Sequence, residues 1–312
     1  MKVVKLSVNF LLLCISILMV GSIPFLIYDI DRQLKVLKMI ENNEIENTLF
    51  LYDSVQFNIG NYFNHVKEML GNIFSIQDFQ YYKFKEYYPV FPELNQLYLM
   101  SVKYLIAALC IGLILAITLS FFIMLLPTTQ RDKVKKVLFV VESLPDIFII
   151  FLLQFLIIWF YKKTDILLFQ IVNVLGKPAF FLPVLCLSIL PSIYITKYLL
   201  ISLEEEEKQS YVEMARGKGL SMYYIVFVHI FRNAIFTLLF HFKTIFWFSL
   251  SNLFVLEIIF NIHGIMTHIK TYGSMNPDLV TLSILLIFIP YYCLFHLASA
   301  VISKKIKGDI SL

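Results

Sequence analysis

Long apolar runs alternate with short polar breaks along most of this chain. The runs cover about 6–28, 98–126, 137–161, 179–203, 234–260 and 280–302. Each can supply the ~20 residues that a helix needs to cross a bilayer. The pattern predicts an all-α, polytopic membrane protein with about six transmembrane helices. His241 and Lys243 interrupt the start of the fifth run. Between the first and second runs lies the one sizeable polar segment, 29–97. Within it, Leu34, Leu37, Ile40 and Ile45 give 32–52 a mixed charged and apolar helical pattern. Its end, Tyr81 to Tyr98, is dense in Tyr, Phe and Pro. Such aromatics suit either a belt at the membrane surface or a face for an external partner.

Composition supports the same class. The chain of 312 residues is 59% hydrophobic and 15% charged, with a mean hydropathy of +0.77. A soluble domain of this size carries about 25% charged residues. The net charge of +4 is scattered, so nucleic acid is not an expected partner, whereas membrane lipid is. Lys2 and Lys5 precede the first run, Arg131, Lys133, Lys135 and Lys136 follow the second, and Lys304, Lys305 and Lys307 follow the sixth. Basic flanks mark the cytoplasmic side, which puts both termini inside. Segment 29–97 has six Lys/Arg against ten Asp/Glu, which suits the outside. The expected organisation is a first transmembrane helix over 1–28, an extracytoplasmic segment over 29–97, and a five-helix core over 98–307. The first run is long and lacks an A-x-A site, so an uncleaved helix is expected there. Cys14, Cys110, Cys186 and Cys293 all fall inside runs without metal-ligand spacing and read as packing residues.

The richest polar stretch is 204–233. Glu204-Glu205-Glu206-Glu207-Lys208 ends the fourth run and should lie in water. Residues 209–217 suit a short helix with Tyr211, Met214 and Ala215 at helical spacing. Gly217 and Gly219 can end it, and Ser221 can cap a second helix. In that second helix Tyr224, Phe227, Val228 and Phe231 fall on one face. The whole reads as helix, glycine break, helix.

Glu213-Met214-Ala215 followed by Gly219 resembles the E-A-A-x-x-x-G motif of inner-membrane permeases of binding-protein-dependent ABC importers. The longer string Tyr211-Val212-Glu213-Met214-Ala215-Arg216-Gly217-Lys218-Gly219-Leu220-Ser221, with His229-Ile230-Phe231-Arg232-Asn233-Ala234, is similar to the peptide/nickel branch. That branch has Y-V-x-x-A-R-x-K-G-L-S and H-x-x-R-N-A there. Ser143-Leu144-Pro145, Leu182-Pro183 and Leu256-Glu257-Ile258-Ile259-Phe260-Asn261 with Gly264 also match its pattern. Met214 stands where the motif has a small residue, and His263-Gly264 where the family often has Pro-Gly.

The resemblance implies a type I ABC importer permease in a bacterial inner membrane, working by alternating access. It implies two cytoplasmic ATPase subunits, a second homologous permease and an extracytoplasmic substrate-binding protein. Loop 204–233 would be the coupling element, with Tyr211, Glu213, Ala215, Arg216, Lys218, Gly219, Ser221, His229, Arg232 and Asn233 at the ATPase interface. Glu213 and Arg216 also read as a solvated i, i+3 pair. Small peptides are the expected cargo, with nickel or another solute as the alternative. A divergent, non-transporting sensor or regulatory subunit is the alternative from another class.

No G-x-x-x-x-G-K-[ST] occurs in the chain, so ATP and Mg are expected on the partner ATPase, and no cofactor on this chain. No nucleophile–base set and no metal site is expected, so the chain is not read as an enzyme. Ionisable groups inside a membrane are costly and prompt functional readings. Glu142 and Asp146, at i and i+4 with Pro145 beside them, would share one face of the third run and line a path, or else sit hydrated at the interface. Glu257, near the outer end of the fifth run, is a further path candidate through the resemblance.

Overall fold

The computed structural model describes residues 2–27, 30–46, 57–74, 79–174 and 178–310. The protein is mostly helical, at 79%. It divides into two units: Met1–Met100 with His263–Leu312, and Ser101–Ile262.

In the first unit, α1 (Lys2–Gly21) is followed by the short α2 (Ile23–Ile27). The first run is thus not one uninterrupted helix. Ser22 alone separates the two helices, and Pro24 has no amide to donate back to the preceding turn. The described apolar part, Ser7–Gly21, is shorter than the five helices long and apolar enough to cross a membrane. Next come α3 (Ile30–Glu41) and α4 (Ile59–Phe74). α3 stops well before residue 52, because Asn43 adopts φ 60°, a conformation Asn tolerates at helix ends. Ile45 therefore lies beyond the helix, and 47–52 lie outside the described residues.

The aromatic stretch is a β-hairpin, which the apolar pattern did not predict. β1 (Gln80–Lys83) pairs antiparallel with β2 (Glu86–Pro89), Lys83 opposite Glu86. The two turn residues, Phe84 and Lys85, have φ of 51° and 67°. Positive φ at both positions is the geometry of a tight hairpin turn, usually signalled by Asn-Gly. Tyr81 and Tyr82 are buried, whereas Tyr87 is exposed. The Asn276 side chain accepts from the Tyr82 amide (2.7 Å) and donates to its carbonyl (3.0 Å), tying the hairpin to the turn between α12 (Ile265–Tyr272) and α13 (Pro277–Ile310).

The second unit takes in the rest of the long helix α5 (Glu93–Met124), then α6 (Thr128–Glu142), α7 (Asp146–Thr164), α8 (Phe181–Glu207), α9 (Ser210–Gly217), a single turn α10 (Met222–Tyr224) and α11 (Phe231–Ile259). The basic stretch after the second run is helical from Thr128 onward. The third run is two helices, since Ser143-Leu144-Pro145 separates α6 from α7. Pro145 pushes Leu144 away from helical geometry and caps α7 instead. Glu142 and Asp146 therefore do not share a helix face. α8 is the central element and packs most extensively on α11. It runs unbroken through Pro183 in its first turn and Pro191 inside it. Ala108, Gly112, Ala116 and Ser120 form a buried small-residue row on α5 that permits close backbone approach between apolar helices. A Cβ at Gly112 would lie 3.1 Å from the Ser188 carbonyl of α8.

Among the described residues, five helices are long and apolar enough to cross a membrane: Glu93–Met124, Asp146–Thr164, Phe181–Glu207, His241–Ile259 and Pro277–His296. They correspond to the second through sixth runs.

Candidate functional site

The loop between α8 and α11 is built on an apolar floor. Val212 and Ala215 of α9 are buried in one cluster with Leu199, Leu203, Ile225, Val226 and Ile230. Full burial of one Val contributes about 1.5–3 kcal/mol, so α9 is anchored rather than loosely tethered. Met214 faces outward and is 63% exposed.

α9 ends with the Lys218 amide bonding Met214 O (3.0 Å) and the Gly219 amide bonding Arg216 O (2.9 Å). Gly219 has φ +76°, the left-handed conformation that glycine adopts without steric cost. Ser221 then caps the next helix, its hydroxyl accepting from the Tyr224 amide. The helix, glycine break, helix reading is thus correct in outline.

The second helix differs from expectation. Ile225–Ile230 form a π-helical turn, which adds a residue per turn and shifts the faces that follow. The buried set is Ile225, Val226, Ile230, Ala234 and Leu238, while of the row Tyr224, Phe227, Val228 and Phe231 the first two are exposed and the last two half-buried. Tyr223, Tyr224 and Phe227 are exposed, as are Met214 and Leu220. His229 meets the Tyr224 ring edge-on at 5.6 Å.

Two polar networks clamp this loop. In the first, Arg131 of α6 is buried and donates to Leu126 O (2.8 Å), Met124 O and Glu207 Oε2 (2.5 Å). Glu207 Oε1 accepts from Arg216 at 2.7 Å. Arg216 thus pairs with Glu207 across the α8–α9 turn, rather than with Glu213 on its own helix. In the second, the Tyr211 hydroxyl donates to Glu206 Oε2 (2.5 Å), and Asn233 Nδ2 donates to the Tyr211 hydroxyl (3.2 Å) and to Glu206 (3.4 Å). Burial, and then the bond to Glu206, push the Tyr211 phenol up to about 12. Lys135 bridges Glu204 (2.5 Å) and Asp132 (3.3 Å). Burial lowers the Lys135 ammonium, but the hydrogen bonds to Glu204 and Asp132 outweigh it and raise it. Of the acidic run, Glu204, Glu206 and Glu207 are therefore half-buried structural partners, and only Glu205 is exposed. Apolar periodicity gives no hint of these polar pairings, and Arg131–Glu207 joins residues 76 apart in sequence.

Glu213, Arg216, Lys218, Gly219, Ser221 and Arg232 are all exposed. Tyr211 and Asn233 are drawn together as a clamp, and Ala215 is floor. The intramembrane candidates are dispersed. Glu142 accepts from Lys197 of α8 at 2.9 and 3.0 Å. Pro145 caps α7, and Asp146 in its first turn takes a hydrogen bond from Asn252 of α11. Glu257 is fully buried and accepts from the Ser101 hydroxyl of α5. None of the described His, Cys, Asp and Glu side chains form a group of three or more able to hold a metal ion.

A family model described as a binding-protein-dependent transport system inner membrane component matches residues 108–308, well over half of the chain. The match takes in α6 to α9 and both clamps. No curated protein matches the chain at a significant level.

Proposed function

Because the chain belongs to the family of inner-membrane components of binding-protein-dependent transport systems, and so is a permease of an ABC importer, we propose that it forms the path for small peptides and that residues 204–233 receive the drive. The family works with ATPase and binding-protein partners. On our reading there are two cytoplasmic ATPases carrying ATP and Mg, a second homologous permease, and both termini on the cytoplasmic side.

The observation that carries this reading is the contrast within the loop. Val212, Ala215 and two polar clamps fasten it to α6, α8 and α11, while Met214, Leu220, Tyr223 and Phe227 stand exposed outside a predicted span. A short helix that offers apolar anchors rimmed by Glu213, Arg216 and Lys218 suits a groove on a partner. Rigid attachment matters, because a loop that flexed would absorb the push instead of passing it to α8 and α11. Glu207 accepts from both Arg131 and Arg216, so movement of α9 acts directly on the end of α8.

The preference for peptides rests on the sequence similarity of 211–234 to the peptide/nickel branch. Asp146 and Glu257, costly carboxylates inside spans, would face a peptide ammonium when the helices separate. Glu142 and Pro145 would hold the α6–α7 break at the end of that path. Proteoliposomes carrying the chain with its co-purified partners should take up labelled di- to tetrapeptides on ATP addition. Uptake of nickel instead would reassign the cargo, and hydrolysis without uptake of any solute would favour the sensor reading.

A further inference from the structure

We infer that the first unit carries a separate binding site for a small zwitterion, of the size of a free amino acid with an apolar side chain. The site is a half-open pocket of about 380 Å³ lined by residues of α2, α3, α4, β1, β2 and the start of α13. That volume is at the small end of the range for ligand pockets, about 300–1,000 Å³, and excludes a long peptide.

Both charges of a zwitterion have a counterpart on its wall. Asn61, Asn64, His65 and Glu68 repeat at i, i+3, i+4 and i+7 on α4, so one helix face lines the cavity. Among the described residues Glu68 makes no hydrogen bond or ion pair and is exposed to the cavity side. Asp278 holds His65 Nε2 through Oδ1 at 2.8 Å. Glu68 and Asp278 place two carboxylates on this part of the lining, which suits an ammonium. Lys38 also lines the space, and its ammonium lies 4.7 Å from the centres of both the Tyr82 and Tyr87 rings and donates to the Tyr87 hydroxyl. Glu41 bonds the Tyr82 side chain beside Lys38, but the Lys38 ammonium itself is held by aromatic rings and a hydroxyl, which leaves it able to take a ligand carboxylate.

The rest of the lining mixes amide and phenol groups, among them Gln80 and Asn276, with an apolar part. Phe25 stacks on His65 with centroids 3.5 Å apart, and Leu34, Phe79 and Leu279 also line the space. His65 is fixed on both sides, since its Nδ1 lies 2.9 Å from Ser22 Oγ. A pocket whose charged groups are held before binding loses less free energy on ordering. The inference does not depend on which solute is transported, since the cavity lies wholly within the first unit.

The test is equilibrium binding of tritiated L-leucine and L-phenylalanine to the full chain in nanodiscs, with N-acetyl-L-leucine and L-leucine methyl ester as competitors. Saturable binding is expected, and neither blocked compound should compete at concentrations where unlabelled leucine does. Glu68→Gln, an isosteric change at a side chain without bonds among the described residues, should weaken binding about tenfold or more, as should Lys38→Met. The exposed Lys67→Gln should leave it unchanged. No saturable binding to the wild-type chain overturns the inference. So does equal competition by either blocked compound, or binding that both Glu68→Gln and Lys38→Met leave intact.

Discussion

Arg131→Ala should be among the most damaging single changes outside the apolar core. The guanidinium is buried and makes three kinds of bond at once, to Leu126 O, Met124 O and Glu207. Its removal leaves two carbonyls at the α5–α6 turn without this donor, and halves the counter-charge on a carboxylate whose side chain is 19% exposed. Loss of one partner from a buried ion pair costs about 3–5 kcal/mol. Glu207 keeps Arg216 at 2.7 Å, which moves the expectation to the lower part of that range, about 3 kcal/mol. Arg131→Lys restores the charge but not the forked geometry, and should recover under half of the loss. Equilibrium unfolding in detergent, followed by Trp fluorescence, reads the difference, and limited proteolysis after Lys208 and Lys218 reads release of the loop. Lys133→Ala, on an exposed part of the same helix, serves as the control and should change stability by less than about 0.5 kcal/mol. A cost below about 1 kcal/mol for Arg131→Ala, with unaltered proteolysis, would refute the view that this residue clamps the loop. A double-mutant cycle with Arg216→Ala should be non-additive, because both arginines share Glu207.

The two loop glycines should respond in opposite directions. Gly217 is helical and has open space at its Cβ position, so Gly217→Ala should stabilise by about 0.5–1 kcal/mol. Gly219 has equal room but a φ of +76°, so Gly219→Ala should cost about 1 kcal/mol from backbone strain alone; thermal midpoints of the two variants compare them directly. Tyr211→Phe deletes the hydroxyl that joins Glu206 to Asn233 and should cost about 1 kcal/mol, with faster amide exchange across 210–217 as the readout. His268 is buried against Tyr81 and Tyr272, and burial holds its imidazolium below the usual 6.5, opposed by the Glu93 charge and aided by that of Lys83. The unfolded chain then binds the proton more readily. The stability this neutral ring contributes is complete above about pH 6.5 and declines as pH falls below it. Amide exchange over 265–272 should therefore quicken between pH 7.5 and 5.5, and His268→Asn should flatten that response.

Much of the architecture was legible because bilayer helices obey a strong length and hydropathy rule. Runs two, four, five and six map onto single described helices with only modest boundary shifts, and run three spans the end of α6 and most of α7. The misses have particular causes. Ser22 with Pro24, and Ser143 to Pro145, split runs whose hydropathy stays high across the break, so a window average passes over them. The hairpin at 80–89 escaped because its turn is Phe84-Lys85, without the glycine or asparagine that normally marks positive φ. The loop over 204–233 was readable in outline from Gly219 and Ser221, since both act locally. Its buried face was not, because the π-turn at Ile225–Ile230 breaks the 3.6-residue period on which the expectation rested. The clamps were invisible for another reason. Arg131 and Glu207 meet only after α6 folds back on α8, and a single basic residue gives no sign of its distant partner.

The most direct measurement on the account as a whole is affinity co-purification from native membranes of the wild-type chain, Met214→Glu and Gly219→Trp. Met214 is exposed, and the Gly219 Cβ position is open, so neither change opens a core void and both chains should be recovered in the membrane. An ATPase subunit should accompany the wild type and be lost or sharply reduced with both variants. An ATPase that remains at wild-type levels on both would show that the drive enters elsewhere, and none with the wild type would contradict the coupling role of residues 204–233.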